Sequence, residues 1–109
     1  MGSTIVTGDD ENILIQLYRD NATFTIDPSA TVKAAVVNSG RSAIMAGPVT
    51  CLSDATGADW STGLVAVNLT SAQTAAITRY GYAILEVEVD DASGKQTYSD
   101  SITIVRGLI

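Results

Sequence analysis

The chain has 109 residues, of which 46% are hydrophobic and 17% are charged, and its formal net charge is −6. Its six lysines and arginines are scattered, whereas nucleic acids and anionic membrane surfaces attract clustered cations, so we expect neither partner. No apolar run approaches the roughly 20 residues of a membrane-spanning helix, so membrane insertion is not expected either. The length suits one domain over residues 1–109.

The chain contains few of the residue types that commonly carry out catalysis. Histidine is absent, which excludes the commonest general base, the histidine-containing triads and every His-ligated metal site. Cys51 is the only cysteine, so neither an intrachain disulfide nor a thiolate metal cage can form, and its apolar neighbours predict a buried, unreactive thiol. We therefore predict that the protein is not an enzyme and has no catalytic, cofactor or metal site.

The first half of the chain alternates between apolar and polar residues, a pattern typical of half-buried strands. It predicts five strands, over residues 12–19, 22–26, 31–37, 42–46 and 49–53. Pro28 ends the second, because proline cannot donate to a ladder, and Gly47-Pro48 predicts a turn between the last two.

Trp60 is the only tryptophan and lies in a polar segment, residues 58–63. Two interpretations are open. In a surface loop the ring can anchor a partner or stack on a sugar, and this makes Trp60 a candidate interface residue. Alternatively, the ring caps one end of the core.

The second half contains the clearest signals. Residues 64–69 predict a strand, and residues 70–77 predict one short helical turn with Thr70 or Ser71 as the N-cap. Residues 82–90 alternate valine and leucine with acids, residues 91–94 predict a turn, and residues 96–105 return as a strand. These last segments predict a C-terminal hairpin.

Acidic residues form two groups. Glu86, Glu88 and Asp90 lie on one face of a predicted strand, where they could coordinate Ca²⁺ or act on a glycosidic bond, but a solvated outer face explains them more simply. The run 9–11 precedes the first strand without EF-hand spacing, so we interpret it as an acidic loop, with a weak Ca²⁺ site as the alternative.

The last two residues, Leu108 and Ile109, are aliphatic. Chain ends fray unless something holds them, so we predict that neighbouring subunits cover these two residues, which makes them candidate interface residues together with Trp60.

Many short strands separated by turns predict an all-β sandwich or barrel. Four segments carry a more specific resemblance: TVKAAVV (31–37), ADWSTGLVAVNL (58–69), TSAQTAAI (70–77) and GYAILEVEVDDASGKQTYSDSITIVRGLI (81–109). In this order they resemble the immunoglobulin-like domain of tailed-bacteriophage baseplate and tail structural proteins, such as the N-terminal domain of upper baseplate proteins. The positions that carry the resemblance are Leu69, Thr70, Gly81, Tyr82, Glu86, Val87, Glu88, Val89, Gly94, Thr97, Ile102, Ile104 and Gly107.

This resemblance implies an immunoglobulin-like sandwich of about seven to eight antiparallel strands with one short helical turn. It also implies synthesis in the host cytoplasm and a place in the virion. There, several copies would contact tail, baseplate, fibre or capsid subunits. Larger members of the family continue into a fibre-like extension, which we do not expect in this protein, and this expectation favours a stand-alone adaptor or a capsid decoration protein. A carbohydrate-binding or adhesive sandwich is the further alternative.

Overall fold

The computed structural model describes residues 3–108. Within this range the chain forms seven strands, one 3₁₀ turn and one short helix. In chain order they are β1 (Ser3–Val6), β2 (Glu11–Gln16), β3 (Thr31–Asn38), β4 (Ile44–Cys51), the 3₁₀ turn (Trp60–Thr62), β5 (Leu64–Leu69), α1 (Ser71–Ala75), β6 (Gly81–Asp91) and β7 (Gly94–Val105).

The strands form two sheets, one in the order β1-β7-β6-β3-β4 and one made of β2 and β5. Buried aliphatic side chains from both sheets pack into one core. With β7, β6 and β3 adjacent and the β2–β5 pair in the other sheet, the strand order is that of an immunoglobulin-type sandwich. The predicted fold class is therefore confirmed.

One strand pair departs from the predicted antiparallel arrangement. β1 runs parallel to β7, with Ser3 opposite Ile102 and Val6 opposite Val105. After β1 the chain turns at residues 7–10 and enters β2 in the other sheet, so β1 has no hairpin partner. Its ladder is made with a strand far along the chain, and such a pair is free to be parallel.

The C-terminal hairpin follows the prediction. Leu85, Val87 and Val89 of β6 point into the core and are at most 1% exposed. At the turn, Asp91 pairs with Gly94, whose φ of +119° suits glycine. The alternation of valine with acid therefore fixed the register of β6, because a slip by one residue would bury the acids.

The strand predicted over residues 22–26 is wrong. Asp20 and Asn21 both have positive φ and reverse the chain, leaving only an isolated bridge between Arg19 and Ala22. The Ile26 amide then donates to the Trp60 carbonyl oxygen at 2.8 Å, so this segment bonds to the 3₁₀ turn instead of to a strand. β2 ends at Gln16, three residues before the predicted end of that strand.

The turn predicted at Gly47-Pro48 is also wrong, since β4 runs through both residues. β4 lies at the edge of its sheet, where the missing N–H of Pro48 can face away from the ladder. Gly47 adopts a φ of +89°, and the register with β3 shifts between Ala34 and Val36. The glycine and proline therefore produce a bulge within one strand.

The helical turn predicted near residues 71–77 is present as α1. Thr70 is its N-cap: the Thr70 hydroxyl accepts from the Gln73 amide, and the Gln73 side chain accepts from the Thr70 amide. This reciprocal capping satisfies two backbone donors at the start of a very short helix. Ile77, just after the helix, is buried in the core.

Candidate functional site: the outer face of the five-stranded sheet

One face of the five-stranded sheet packs on the core, and the opposite face is open; we call the latter the outer face. On β6 the outward residues alternate with the buried ones described above. They are Tyr82, Ile84, Glu86, Glu88 and Asp90. The acidic row predicted from the sequence is therefore the charged half of this face.

An apolar row crosses the outer face. Val37 of β3 lies between Ile44 of β4 and Ile84 of β6 in the strand register. Ile44 is 56% exposed, and Tyr82, the next outward residue of β6, is 61% exposed. Val37 itself is 6% exposed and Ile84 is half-buried, so the exposed apolar surface here is mainly that of Ile44 and Tyr82. Exposed apolar side chains close together on one flat surface mark a candidate contact site.

Two ion pairs lie in the charged half of the outer face. Glu86 accepts a hydrogen bond of 2.8 Å from Nε of Arg41, and the ammonium of Lys95 lies 3.8 Å from Glu88. Exposed pairs of this kind contribute only about 0–1 kcal/mol each, so their main effect is to balance charge. In residues 3–108 no three Asp, Glu, Cys or His side chains come together in a way that could hold a metal ion.

A groove of about 300 Å³ lies between the apolar row and the acids. Ala35 of β3 forms its floor, with Ile44 and Pro48 on one side and Glu86 and Glu88 on the other. The groove exists because alanine is the smallest side chain among larger neighbours. Sequence reasoning missed it, although an alanine at an outward strand position was the available signal.

Trp60, the first candidate interface residue, is a core residue. It begins the 3₁₀ turn and is 7% exposed, packed within the main hydrophobic cluster. Asp59 caps this turn by accepting from the Ser61 amide, and Gly63 ends it with a φ of +81°. The ring is therefore buried in the single chain, and the interpretation as a cap of the core matches its position.

Leu108, the second candidate, is 93% exposed. The chain leading to it is held: the Thr7 amide donates to the Val105 carbonyl oxygen at 2.9 Å, and the Gly107 amide donates to the Thr7 hydroxyl at 3.0 Å. Leu108 thus follows a fixed segment without being packed itself. The third candidate, Ile109, lies outside the described residues.

The acidic run 9–11 serves the fold locally. The Glu11 carboxylate accepts from the Val6 amide at 2.8 Å, and the Asp10 carboxylate accepts from the Ser71 amide at the start of α1, at 2.6 Å. These two carboxylates bond to different parts of the backbone, one in β1 and one in α1. Asp9 and Asp10 fit the interpretation as an acidic loop, whereas Glu11 is already the first residue of β2.

Cys51 is buried at the end of β4, as predicted. Burial raises the pKa of its thiol from 9.0 to about 11, because the thiolate would lose its hydration. The thiolate is the reactive form, so this cysteine is poorly suited to nucleophilic chemistry.

The reactivity of Cys51 gives a direct check of this environment. At pH 8 we expect iodoacetamide to alkylate the folded protein at least about 100-fold more slowly than the urea-unfolded protein. The reason is that raising the thiol pKa by about two units lowers the fraction of reactive thiolate about 100-fold. Mass spectrometry of the quenched reaction measures both rates. Equal rates would place the thiol in contact with water.

No protein-family model matches the chain, and a search of curated proteins finds no match. In the part of the chain from Ser3 to Leu108, no helix is long and apolar enough to cross a membrane. The fold and the surface together define an immunoglobulin-like β-sandwich with an open, partly apolar sheet face.

Proposed function

We propose that the protein is a non-enzymatic structural component of a bacteriophage virion. In this role it is a tail, baseplate or fibre-adaptor module that assembles in several copies through protein–protein contacts. The proposal combines the resemblance to baseplate and tail domains with the surface of the sandwich. Its biochemical part, assembly by contact, depends on the outer face.

The observation that carries this part is the apolar row with Tyr82 beside it. Ile44, Val37 and Ile84 are cross-strand neighbours, and the exposed ring of Tyr82 extends the same surface. Interface centres are enriched in aromatic side chains and poor in charge, with polar groups at the rim. An apolar row next to paired charges has this composition.

Two alternative functions differ from the proposal in the partner or the binding surface that they require. A capsid decoration protein would use the same surfaces against capsid subunits, so only the partner distinguishes it. A carbohydrate-binding module needs an accessible aromatic platform, and Trp60, which would provide it, is 7% exposed. Tyr18, Tyr80 and Tyr82 are the exposed aromatic rings left to the sugar-binding alternative.

Removal of Leu108 and Ile109 tests assembly at the chain end. We expect the free energy of unfolding to change by no more than about 0.5 kcal/mol, because Leu108 is 93% exposed. Binding to the virion partner should weaken about tenfold or more, since two aliphatic side chains lose their contacts. Urea titration measures the first quantity, and light scattering of mixtures with purified tail, baseplate or capsid proteins measures the second.

The matched control is Leu52→Ala, which shortens another exposed leucine, in the segment after β4. This variant should change neither the free energy of unfolding nor the affinity for the virion partner. A truncated chain that loses as much folding stability as binding would show that the last residues serve the fold and not assembly.

A further inference from the structure

We propose that the outer face of the five-stranded sheet is a contact between two copies of this chain, in which Tyr82 of each copy enters the groove above Ala35 of the other. This inference rests on the proposed function and deepens it by naming the partner of this face. Four observations support it: the distribution of charge, the strand register, the lining of the groove and the size of the face.

Charge favours a second copy as the occupant. The outer face carries three cations, Lys33, Arg41 and Lys95, and three acids, Glu86, Glu88 and Asp90, so it is neutral. The other three cations and nine acids carry the entire net charge of −6. Two copies that meet through the remaining surface therefore experience a net repulsion, because like charges oppose association. Two neutral outer faces can meet without this electrostatic repulsion.

The strand register sets the distance between Tyr82 and the groove above Ala35. Ala35, the floor of the groove, pairs with Glu86, and Tyr82 lies four residues before Glu86 on the same strand. At about 3.3 Å per residue, the two positions are roughly 13 Å apart. A twofold axis that crosses β6 above Ile84 therefore brings Tyr82 of one copy opposite Glu86 of the other. Because a twofold contact is symmetric, Tyr82 of the second copy likewise lies opposite Glu86 of the first.

The groove has the chemistry that a tyrosine side chain needs. Its apolar wall of Ile44 and Pro48 can contact the ring, and its polar wall offers the side chains of Glu88, Lys33 and Thr97. A buried tyrosine hydroxyl is normally hydrogen-bonded, so a groove with one apolar and one polar side suits it better than a purely apolar one. In the single chain Tyr82 is 61% exposed and therefore available for this contact.

The size of the overlap suits a weak, reversible dimer. With the axis above Ile84, the two faces overlap only around residues 81–87 of β6 and the strands beside them. At about 3.3 Å per residue and 4.8 Å per strand, this overlap is at most roughly 550 Å² of flat area. Standard interfaces bury about 800 Å² per partner, measured over the corrugated surface. Aligned packing of two sheets, with an angle of about 30° between strand directions, is a common geometry for such a contact.

Sedimentation equilibrium of the isolated full chain tests the inference. We expect a monomer–dimer equilibrium for the wild type and a dissociation constant about tenfold or more higher for Tyr82→Ser, because a central tyrosine is lost. Tyr18→Ser is the matched control: Tyr18 is 57% exposed but follows β2 in the other sheet, so this variant should dimerise like the wild type.

A second pair of variants tests the charge argument. Lys33→Glu gives each outer face a net charge of −2 and should weaken dimerisation, with recovery at high salt. Arg79→Glu makes the same charge change at an exposed position outside β1–β7 and should have a much smaller effect. Circular dichroism confirms that each variant is folded.

The outcomes separate this inference from the proposed function. A wild-type chain that remains monomeric at millimolar concentration overturns the dimer, as does a dimer in which Tyr82→Ser and Tyr18→Ser behave alike. Either result can occur while the chain still binds a tail or capsid protein, and the proposed function then stands. A dimer that depends on Tyr82 supports the inference even where no virion protein binds.

Discussion

Replacing Trp60 by alanine is expected to lower the free energy of unfolding by about 3–5 kcal/mol, because the indole ring is buried among core side chains and its removal leaves a cavity. Domains of this size are stable by only about 5–15 kcal/mol, so the variant should lose much of its stability. Urea denaturation followed by circular dichroism measures the difference between the two proteins.

Trp60→Phe is the control for this change. It keeps an aromatic ring in the core and should cost clearly less than alanine. The indole nitrogen is buried and has no hydrogen-bond partner among the described residues, so phenylalanine breaks no hydrogen bond there. If Trp60→Ala instead kept wild-type stability while association with a partner was lost, the ring would belong to an interface and not to the core.

Replacing Thr74 by valine is expected to destabilise the fold by about 1–3 kcal/mol, although the two side chains have nearly the same shape. Thr74 is fully buried, and its hydroxyl accepts from the Gly8 amide at 2.9 Å and donates to the Asp9 carbonyl oxygen at 2.7 Å. Valine would leave both backbone groups without their partner, and an unsatisfied buried polar group carries this cost. Thermal or urea unfolding measures the loss.

Thr78→Val is the matched control, because Thr78 is exposed three residues after α1. Its stability should change by no more than about 0.5 kcal/mol. Similar small losses for both variants would mean that the hydroxyl of Thr74 does not hold the loop between β1 and β2 against α1.

Much of the fold was predictable where a local pattern and the tertiary packing agree. The alternation around Val87 located β6 and its buried face. The pair of N-cap candidates, Thr70 and Ser71, located the start of α1, where Thr70 forms a capping interaction that spans only three residues. In both cases the determining contacts are either close in sequence or repeated regularly along it.

The errors arose where distant contacts overrode local preferences. Residues 22–26 have a strand-like composition, but positive φ at Asp20 and Asn21 and a bond from Ile26 to Trp60 direct the chain elsewhere. Gly47-Pro48 has the composition of a turn, but at a sheet edge the same pair forms a bulge. Neither outcome can be read from the neighbouring residues alone.

The candidate site was predictable only in part. The acidic row lies on one strand and follows from alternation, whereas the apolar row joins Ile44, Val37 and Ile84 from three strands whose order the sequence does not state. Trp60 was ambiguous because a single aromatic residue in a polar loop can point either way, and long-range contacts decide the direction.

The mass of the native species in solution, measured by light scattering for the chain alone and after mixing with purified tail, baseplate and capsid proteins, tests the central claim most directly. We expect a mass of more than one copy for the chain alone and a larger complex with at least one of these proteins. A single-copy mass in every mixture would contradict assembly by surface contact.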